Sequence, residues 1–85
     1  KCQGKIKKMT PEKAFGSVLC ELRKGKNLSQ DKISFICDLD RTYISLLERG
    51  LRQPSLTTIL NLSKALDIHP SDFISLVVNK IESDE

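Results

Sequence analysis

Apolar residues along this chain recur every three or four positions, which is the spacing of one face of an α-helix. Five such segments are separated by residues that start or stop helices, and none has the strict alternation of a half-buried strand. The predicted helices cover residues 11–24, 30–37, 41–49, 56–66 and 70–81. The pattern therefore predicts an all-α fold of five short helices.

Residues that cap helices mark the boundaries between these segments. Four predicted helices follow a residue whose side chain can accept a backbone N–H, namely Thr10, Ser29, Asp40 and Ser55. Gly25 and Gly50 are predicted to end helices 1 and 3 in the left-handed conformation. Asp38 follows helix 2 where a tight turn calls for a positive φ, which Asp tolerates better than most residues. Helices 2 and 3 are therefore expected to be joined by a tight turn.

A chain of 85 residues has room for one hydrophobic core. We predict a folded domain over residues 10–81, a flexible basic tail over 1–9 and a frayed polar end over 82–85. The apolar runs fall far short of the ~18 residues of a membrane span, and no segment resembles a secretory leader. We therefore expect a cytoplasmic protein without a membrane partner.

The same periodicity predicts which positions face the core. Those predicted to face inward from helices 1, 3 and 4 are Phe15, Leu19, Leu22, Ile44, Leu47, Leu56, Ile59, Leu60 and Leu66. Helix 5 has more apolar residues than one stripe against so small a core needs, and the surplus favours contact with a second subunit. We assign Phe73, Ile74 and Val77 to that dimer interface and Leu76 to the core.

The net charge of +3 is unevenly distributed along the chain. Residues 1–26 carry eight Lys and Arg against two acids, 27–54 carry four of each sign, and 55–85 carry two bases against five acids. Such a split suits a protein that turns its basic side to a polyanion, and a solvated basic tail is the alternative interpretation.

Residues that carry catalysis or bind metals are scarce. His69, the only histidine, has no partner for a His/Cys metal cluster or a Ser-His-Asp relay. Cys2, Cys20 and Cys37 form neither an even set nor a CxxC pair, so we expect reduced thiols. For Cys20 and Cys37 a buried, inert role is favoured over a redox role. We expect no cofactor, no metal and no enzymatic activity.

Several short segments fall in register with a single known motif. They are Phe15-Gly16, Leu22-Arg23, Leu28-Ser29-Gln30, Leu39-Asp40-Arg41-Thr42-Tyr43-Ile44-Ser45, Glu48-Arg49-Gly50, Pro54-Ser55-Leu56 and Lys64-Ala65-Leu66-Asp67-Ile68. Through them, residues 15–77 resemble the helix-turn-helix domain of the phage Cro and repressor (XRE-like) family. Residues 39–45 also resemble the controller regulators of restriction-modification systems. The resemblance implies a transcriptional regulator that binds double-stranded DNA as a homodimer on two half-sites, with helix 3 in the major groove.

The resemblance makes the polar residues near the start of helix 3 the base contacts. These residues are Arg41, Thr42, Tyr43 and Ser45. Arg41 has the guanidinium that pairs bidentately with guanine O6 and N7, and the hydroxyls of Thr42 and Ser45 suit base edges. For Tyr43, contact with a phosphate or sugar stands beside a partly buried structural role.

Phosphate contacts are expected from the start of helix 2 and from the segment after helix 3. The residues concerned are Gln30, Arg49, Arg52, Gln53 and Ser55. For Arg49 and Arg52, the alternative to a phosphate contact is that they are loop cations surrounded by solvent. Arg23 and Glu48 occupy positions that in the family form an ion pair between helices 1 and 3. The candidates for an arm around DNA are the tail residues Lys5, Lys7 and Lys8. A disordered tail is the favoured interpretation.

Phe35 and Ile36 stand where the family is commonly polar. They either pack on helix 1 and the tail or form an exposed surface for a partner. The second case defines the alternative function, an antitoxin-type or protein-interaction module with the same fold. Within the regulator class, repressor, controller protein and antitoxin stay open. RNA polymerase is a further candidate partner, through Asp31, Asp38 or Glu48.

Overall fold

The computed structural model describes residues 9–83 and contains five helices and no strand within that range. The helices are α1 (Pro11–Gly25), α2 (Gln30–Cys37), α3 (Arg41–Glu48), α4 (Leu56–Ala65) and α5 (Pro70–Ser83). The predicted all-α fold class is confirmed, and every helix begins at the predicted residue. None of these helices combines the length and apolar character needed to cross a bilayer.

The core forms where α1 packs against α3 and α5 and where α4 packs against α2 and α5. Its buried apolar residues are Ala14, Phe15, Val18, Leu19, Ile33, Ile44, Leu47, Leu62, Leu66, Phe73 and Val77. The rings of Phe15 and Phe73 stack with their centroids 4.9 Å apart and an angle of 3° between their planes. Such an aromatic pair contributes about 0.5–1.5 kcal/mol beyond the area it buries. Because α1 packs against both α3 and α5, it is the central helix of the domain.

Two residues assigned to a dimer contact belong to this core instead. Phe73 and Val77 are buried within the monomer, so neither side chain is available to a second subunit. Leu76, predicted to share the core, is exposed, as is Ile74. The helical period explains why Val77 is buried and Leu76 is not. Phe73 and Val77 are four residues apart and share one face of α5, whereas Leu76 lies about 100° around the helix from Val77.

The buried face of α4 also differs from the prediction. The sequence predicts that Leu56 and Leu60 face inward, but they are 71% and 47% exposed. The line that packs on the core runs through Thr58, Leu62 and Leu66, each four residues from the next, so the predicted burial of Leu66 is confirmed. Ile59, also predicted to face inward, is partly buried against the core. Apolar residues occur on both sides of this helix, so the periodicity could not choose between the two stripes.

Helix ends account for further corrections. Gly25 lies inside α1, and the left-handed residue after the helix is Asn27, with φ 59°. The N–H of Asn27 bonds to the carbonyl of Lys24 at 2.9 Å, which satisfies one of the last carbonyls of the helix. Asp40 occupies the N-cap of α3, but its side chain makes no capping hydrogen bond. Arg49 is the C-cap of α3 rather than its last residue.

The two chain ends are only partly covered by the described residues. The predicted tail lysines and Cys2 fall within residues 1–8, outside the described range. Met9, assigned to the tail, packs half-buried against the core. At the other end α5 continues through Glu82 to Ser83, where the sequence predicts fraying, and residues 84–85 lie outside the described range.

Asp38 joins α2 to α3 in the left-handed conformation, with φ 56° and ψ 40°. Because the Cβ of an L-residue is crowded there, Asp38→Gly is expected to stabilise the domain by up to about 1 kcal/mol, after allowance for the greater freedom of Gly in the unfolded chain. Urea unfolding measures the difference. Asp38→Ala is the matched control, since it also removes the carboxylate but keeps the Cβ, and it should destabilise. Equal midpoints for the two variants would contradict this account of the turn.

Candidate nucleic-acid interface

The turn between α2 and α3 has hydrogen bonds that fix the orientation of α3. The N–H of Leu39 donates to the carbonyl of Ser34 at 3.1 Å, and the hydroxyl of Ser34 donates to the carbonyl of Leu39. Ile33 of α2 and Ile44 of α3 are both fully buried. The turn and these two buried side chains hold α3 in one orientation against the rest of the domain.

A buried ion pair ties the end of α3 to α1. Arg23 Nε donates to Glu48 Oε2 at 2.6 Å, and Arg23 Nη2 donates to Oε1 at 3.0 Å. The two side chains are only 11% and 6% exposed. Arg23 Nη1 also donates to the carbonyl of Leu28 at 2.8 Å, and Gln30 Nε2 donates to Glu48 Oε1 at 3.0 Å. A single carboxylate therefore connects α1, the start of α2 and the end of α3.

These contacts set the ionisation of the pair. The hydrogen bond to Glu48, together with its negative charge, raises the pKa of Arg23 despite the opposing effect of burial. Burial acts to raise the pKa of Glu48. The hydrogen bonds from Arg23 and Gln30 and the positive charge of Arg23 outweigh that effect, so the pKa of Glu48 lies below its ordinary value. Both groups are therefore charged at neutral pH.

The four residues predicted to contact bases differ in exposure. Arg41 and Thr42 are exposed at the first turn of α3, whereas Tyr43 and Ser45 are half-buried. Tyr43 packs against the edge of the core. Ser45 lies one turn beyond Arg41 and therefore shares its side of the helix. The first turn of α3 therefore presents the guanidinium of Arg41 and the hydroxyl of Thr42 to solvent.

Arg41 also forms an ion pair with a carboxylate to which no sequence pattern connects it. Its Nε lies 2.9 Å from Oδ1 of Asp31, in the first turn of α2. The side chains are 61% and 79% exposed, so the pair lies at the surface. Residues 31 and 41 stand on different helices, and no helical spacing relates them. Only the tight turn brings them together, which is why periodicity gave no signal for this contact.

The predicted phosphate contacts fall into two groups. Arg49, Arg52 and Gln53 are exposed around the end of α3 and the following loop. Gln30 is half-buried and bonded to Glu48, while the hydroxyl of Ser55 accepts the N–H of Thr58 at 3.1 Å and so caps α4. Arg49 and Arg52 are the exposed cations of the set. The role of Gln30 within the ion-pair network was not predicted.

Two further predictions are decided by exposure. Phe35 is 82% exposed and Ile36 is also exposed, so the two form an exposed apolar patch on α2 rather than packing on α1, whereas the predicted tail lies largely outside the described residues. The side chain of Glu48 is buried in its ion pair and is therefore removed from the candidate contacts with RNA polymerase. Asp31 and Asp38 are exposed.

Within residues 9–83 no three His, Cys, Asp or Glu side chains gather in a way that could hold a metal ion. Cys20 and Cys37 are half-buried free thiols. Burial raises the pKa of the Cys37 thiol, which keeps it protonated at neutral pH. A protonated thiol is a weak nucleophile, in keeping with an inert role for Cys37.

Comparison of the sequence with known proteins finds matches over most of the domain. A family model described as helix-turn-helix matches residues 21–73. The chain is 49% identical over 61 residues to Control protein C.BamHI of Bacillus amyloliquefaciens, and the match covers 71% of this chain and 75% of that protein. It is 44% identical over 62 residues to Control protein C.MunI of Mycoplasma sp, covering 72% of this chain and 84% of that protein.

Solved structures with the same arrangement of helices include two controller proteins. The restriction-modification controller protein C.AhdI from Aeromonas hydrophila superposes with a TM-score of 0.70 at 48% identity, over 72% of this chain and 92% of that one. The controller protein C.Esp1396I, solved as a tetramer in complex with its natural 35 base-pair operator, superposes with a TM-score of 0.79 over 87% of this chain and 97% of that one. At 24% identity the second likeness concerns the fold alone. Both confirm the predicted helix-turn-helix arrangement.

Proposed function

This chain belongs to the helix-turn-helix family, whose model matches its residues 21–73, and from that membership we propose a transcriptional regulator that binds double-stranded DNA sequence-specifically as a homodimer. The observation that carries the proposal is the exposure of Arg41 and Thr42 at the start of a helix whose other side is anchored by the buried Ile44 and Leu47. Relatives named as control proteins, up to 49% identical, support the role of a restriction-modification controller.

In the proposed complex α3 enters the major groove. A helix about 10–12 Å across fits a groove about 12 Å wide, where each base pair presents a distinct set of donors, acceptors and methyl groups. Arg41 donates two N–H groups to guanine O6 and N7, and the hydroxyls of Thr42 and Ser45 bond to neighbouring base edges. Tyr43, which is half-buried, contacts the sugar-phosphate backbone.

The register of α3 on the duplex comes from phosphate contacts. Arg49, Arg52 and Gln53 are exposed beyond the end of α3 and bind the backbone there. The amide nitrogen of Gln30 has two N–H bonds, of which one is used by Glu48, so the other can donate to a phosphate at the start of α2. The free N–H groups that follow Ser55 at the start of α4 offer a further anion site.

One recognition helix covers only a few base pairs, so specificity requires two subunits on half-sites about 34 Å apart. Ile74 is the exposed member of the predicted interface, and Val78, four residues further on, lies on the same side of α5 and is exposed in similar measure. An apolar face of this kind favours association of two copies. We therefore retain α5, with Ile74 at the contact, as the proposed dimer interface.

A protein-interaction role on the same fold is the second candidate function. It is favoured by the exposure of Phe35 and Ile36, which form an apolar patch on α2 beside the acidic Asp31 and Asp38. In a regulator this surface suits contact with RNA polymerase, and in an antitoxin it suits contact with a toxin. Phe35→Ser removes the most exposed apolar side chain of the patch, so it should weaken either interaction without weakening DNA binding.

Arg41→Ala is expected to weaken binding to the preferred site by about 1–3 kcal/mol and to relax the preference at one base pair. Arg52→Ala is the matched control. Because Arg52 contacts a phosphate in the proposed complex, its loss should weaken binding to all sequences alike and flatten the dependence of affinity on salt. Titrations of labelled duplexes at several salt concentrations measure both effects. An equal loss on all DNA for both variants would refute the role of Arg41.

The proposed function itself is tested by selection of bound duplexes from random DNA, followed by measurement of the stoichiometry of the selected complex. We expect a sequence with two related half-sites, occupied by two chains. Selection without any enriched sequence would overturn the proposal and favour the protein-interaction role.

A further inference from the structure

We propose that Asp31 is a positioning residue that orients Arg41 for base recognition. This inference rests on the proposed function, in which Arg41 contacts a base. The carboxylate of Asp31 holds the guanidinium of Arg41 by its Nε and leaves the two terminal nitrogens available for the guanine edge. Asp31 thereby contributes to sequence discrimination without touching a base.

The geometry of the pair fits this role. The guanidinium has five N–H groups in a rigid plane, and bidentate recognition of guanine needs two of them. Asp31 Oδ1 lies 2.9 Å from the Nε of Arg41 in an ion pair, on a different edge of the guanidinium plane from the one formed by the two terminal nitrogens. The long side chain of an exposed arginine otherwise samples many rotamers, and holding it before DNA arrives lowers the entropy lost on binding.

The charge of Asp31 has a second effect on sequence specificity. Asp31 is exposed next to Gln30, a proposed phosphate contact, so its carboxylate is repelled by the DNA backbone. It also neutralises the attraction of Arg41 for phosphates in general. Asp31 therefore lowers affinity for unrelated DNA while it raises discrimination at one base pair, and both effects increase specificity.

A plainer role for Asp31 would be stabilisation of α2 alone. It is the acidic residue of the first turn of that helix, where a negative charge interacts favourably with the helix dipole. That role predicts a change in stability and none in base preference. The two roles are therefore separated by measurements of DNA discrimination.

The experiment compares wild type with Asp31→Asn on three duplexes at one salt concentration. The duplexes are the selected operator, the operator changed at the base pair where Arg41→Ala relaxes preference, and an unrelated sequence. Exposed ion pairs contribute modestly, so we expect discrimination between the first two to fall about twofold to fivefold. Affinity for the unrelated duplex should rise by a similar factor. Asp31→Glu, which keeps the carboxylate, should restore most of the discrimination.

Two controls isolate the contact between Asp31 and Arg41. Asp38→Asn removes the same charge at the other end of α2, at a left-handed position that Asn accepts. It should raise affinity for all three duplexes alike and leave discrimination unchanged. In the Arg41→Ala background, Asp31→Asn should no longer alter discrimination, because the side chain that it positions is absent.

The outcomes distinguish this inference from the proposed function. If wild type prefers its operator and Asp31→Asn retains full discrimination, the inference is overturned and the proposed function stands. The same holds if Asp31→Asn lowers discrimination equally with and without Arg41. If wild type prefers no sequence, the proposed function fails and the inference fails with it.

Discussion

Replacing Gly16 with alanine is expected to destabilise the domain by about 3 kcal/mol or more, a large part of the total stability of a small fold. A Cβ at Gly16 would lie 2.3 Å from the carbonyl oxygen of Leu47 and 2.7 Å from that of Glu48. Both atoms belong to the backbone of the last turn of α3. A backbone carbonyl cannot rotate aside as the end of a side chain can, so α1 and α3 would have to move apart.

Gly25→Ala is the matched control, because it makes the same substitution in the same helix. A Cβ at Gly25 would meet nothing within 4 Å, and the residue lies inside α1. Alanine should therefore stabilise the domain by about 0.5–1 kcal/mol through its higher helix propensity. Urea unfolding of wild type and the two variants measures the contrast. Midpoints that move in the same direction for both variants would contradict the close contact between α1 and α3.

Glu48→Ala is expected to cost about 3–5 kcal/mol, because it leaves the guanidinium of Arg23 buried without its counter-ion. It also removes the acceptor of the Gln30 amide, so the variant loses contacts to α1 and α2 together. Chemical denaturation measures the loss. Since the same carboxylate fixes the end of α3, any folded fraction of the variant should bind DNA with reduced discrimination.

An exposed ion pair elsewhere on α1 provides the control for this prediction. Lys80 of α5 pairs with Glu21 of α1, whose side chain is largely exposed. Glu21→Ala should therefore cost less than about 1 kcal/mol. A loss as large as that of Glu48→Ala would show that burial of the Arg23–Glu48 pair is not what makes it important.

The acid dependence of stability provides a second measurement on Glu48. Because its pKa is lowered in the folded protein, its contribution is fully present above the unfolded pKa of about 4.3 and is lost as the pH falls through the lower folded value. Wild type should therefore exceed Glu48→Gln in stability by a constant amount from about pH 6 to pH 8. That difference should shrink as the pH falls below about 4. A difference that grows in acid would contradict the sign of the shift.

Much of the local structure was determined by the sequence alone. Each helix begins at the predicted residue, and in every helix but α3 a proline or a capping side chain acts within one turn of the chain. The turn at Asp38 is likewise predictable from the local sequence, because helices 2 and 3 leave only residues 38–40 to connect them. Ile44 and Leu47 were correctly placed inside, because α3 has a single apolar stripe.

Only the tertiary structure decided which of several similar faces is used. α4 and α5 each have apolar residues on more than one side, so burial of Leu62 and Phe73 rather than Leu56 and Leu76 depended on the helices that pack against them. The contact of Asp31 with Arg41 and the approach of Gly16 to α3 likewise join residues on different helices. Sequence spacing describes neighbours along one helix, whereas these contacts arise only when two helices are packed at a definite angle.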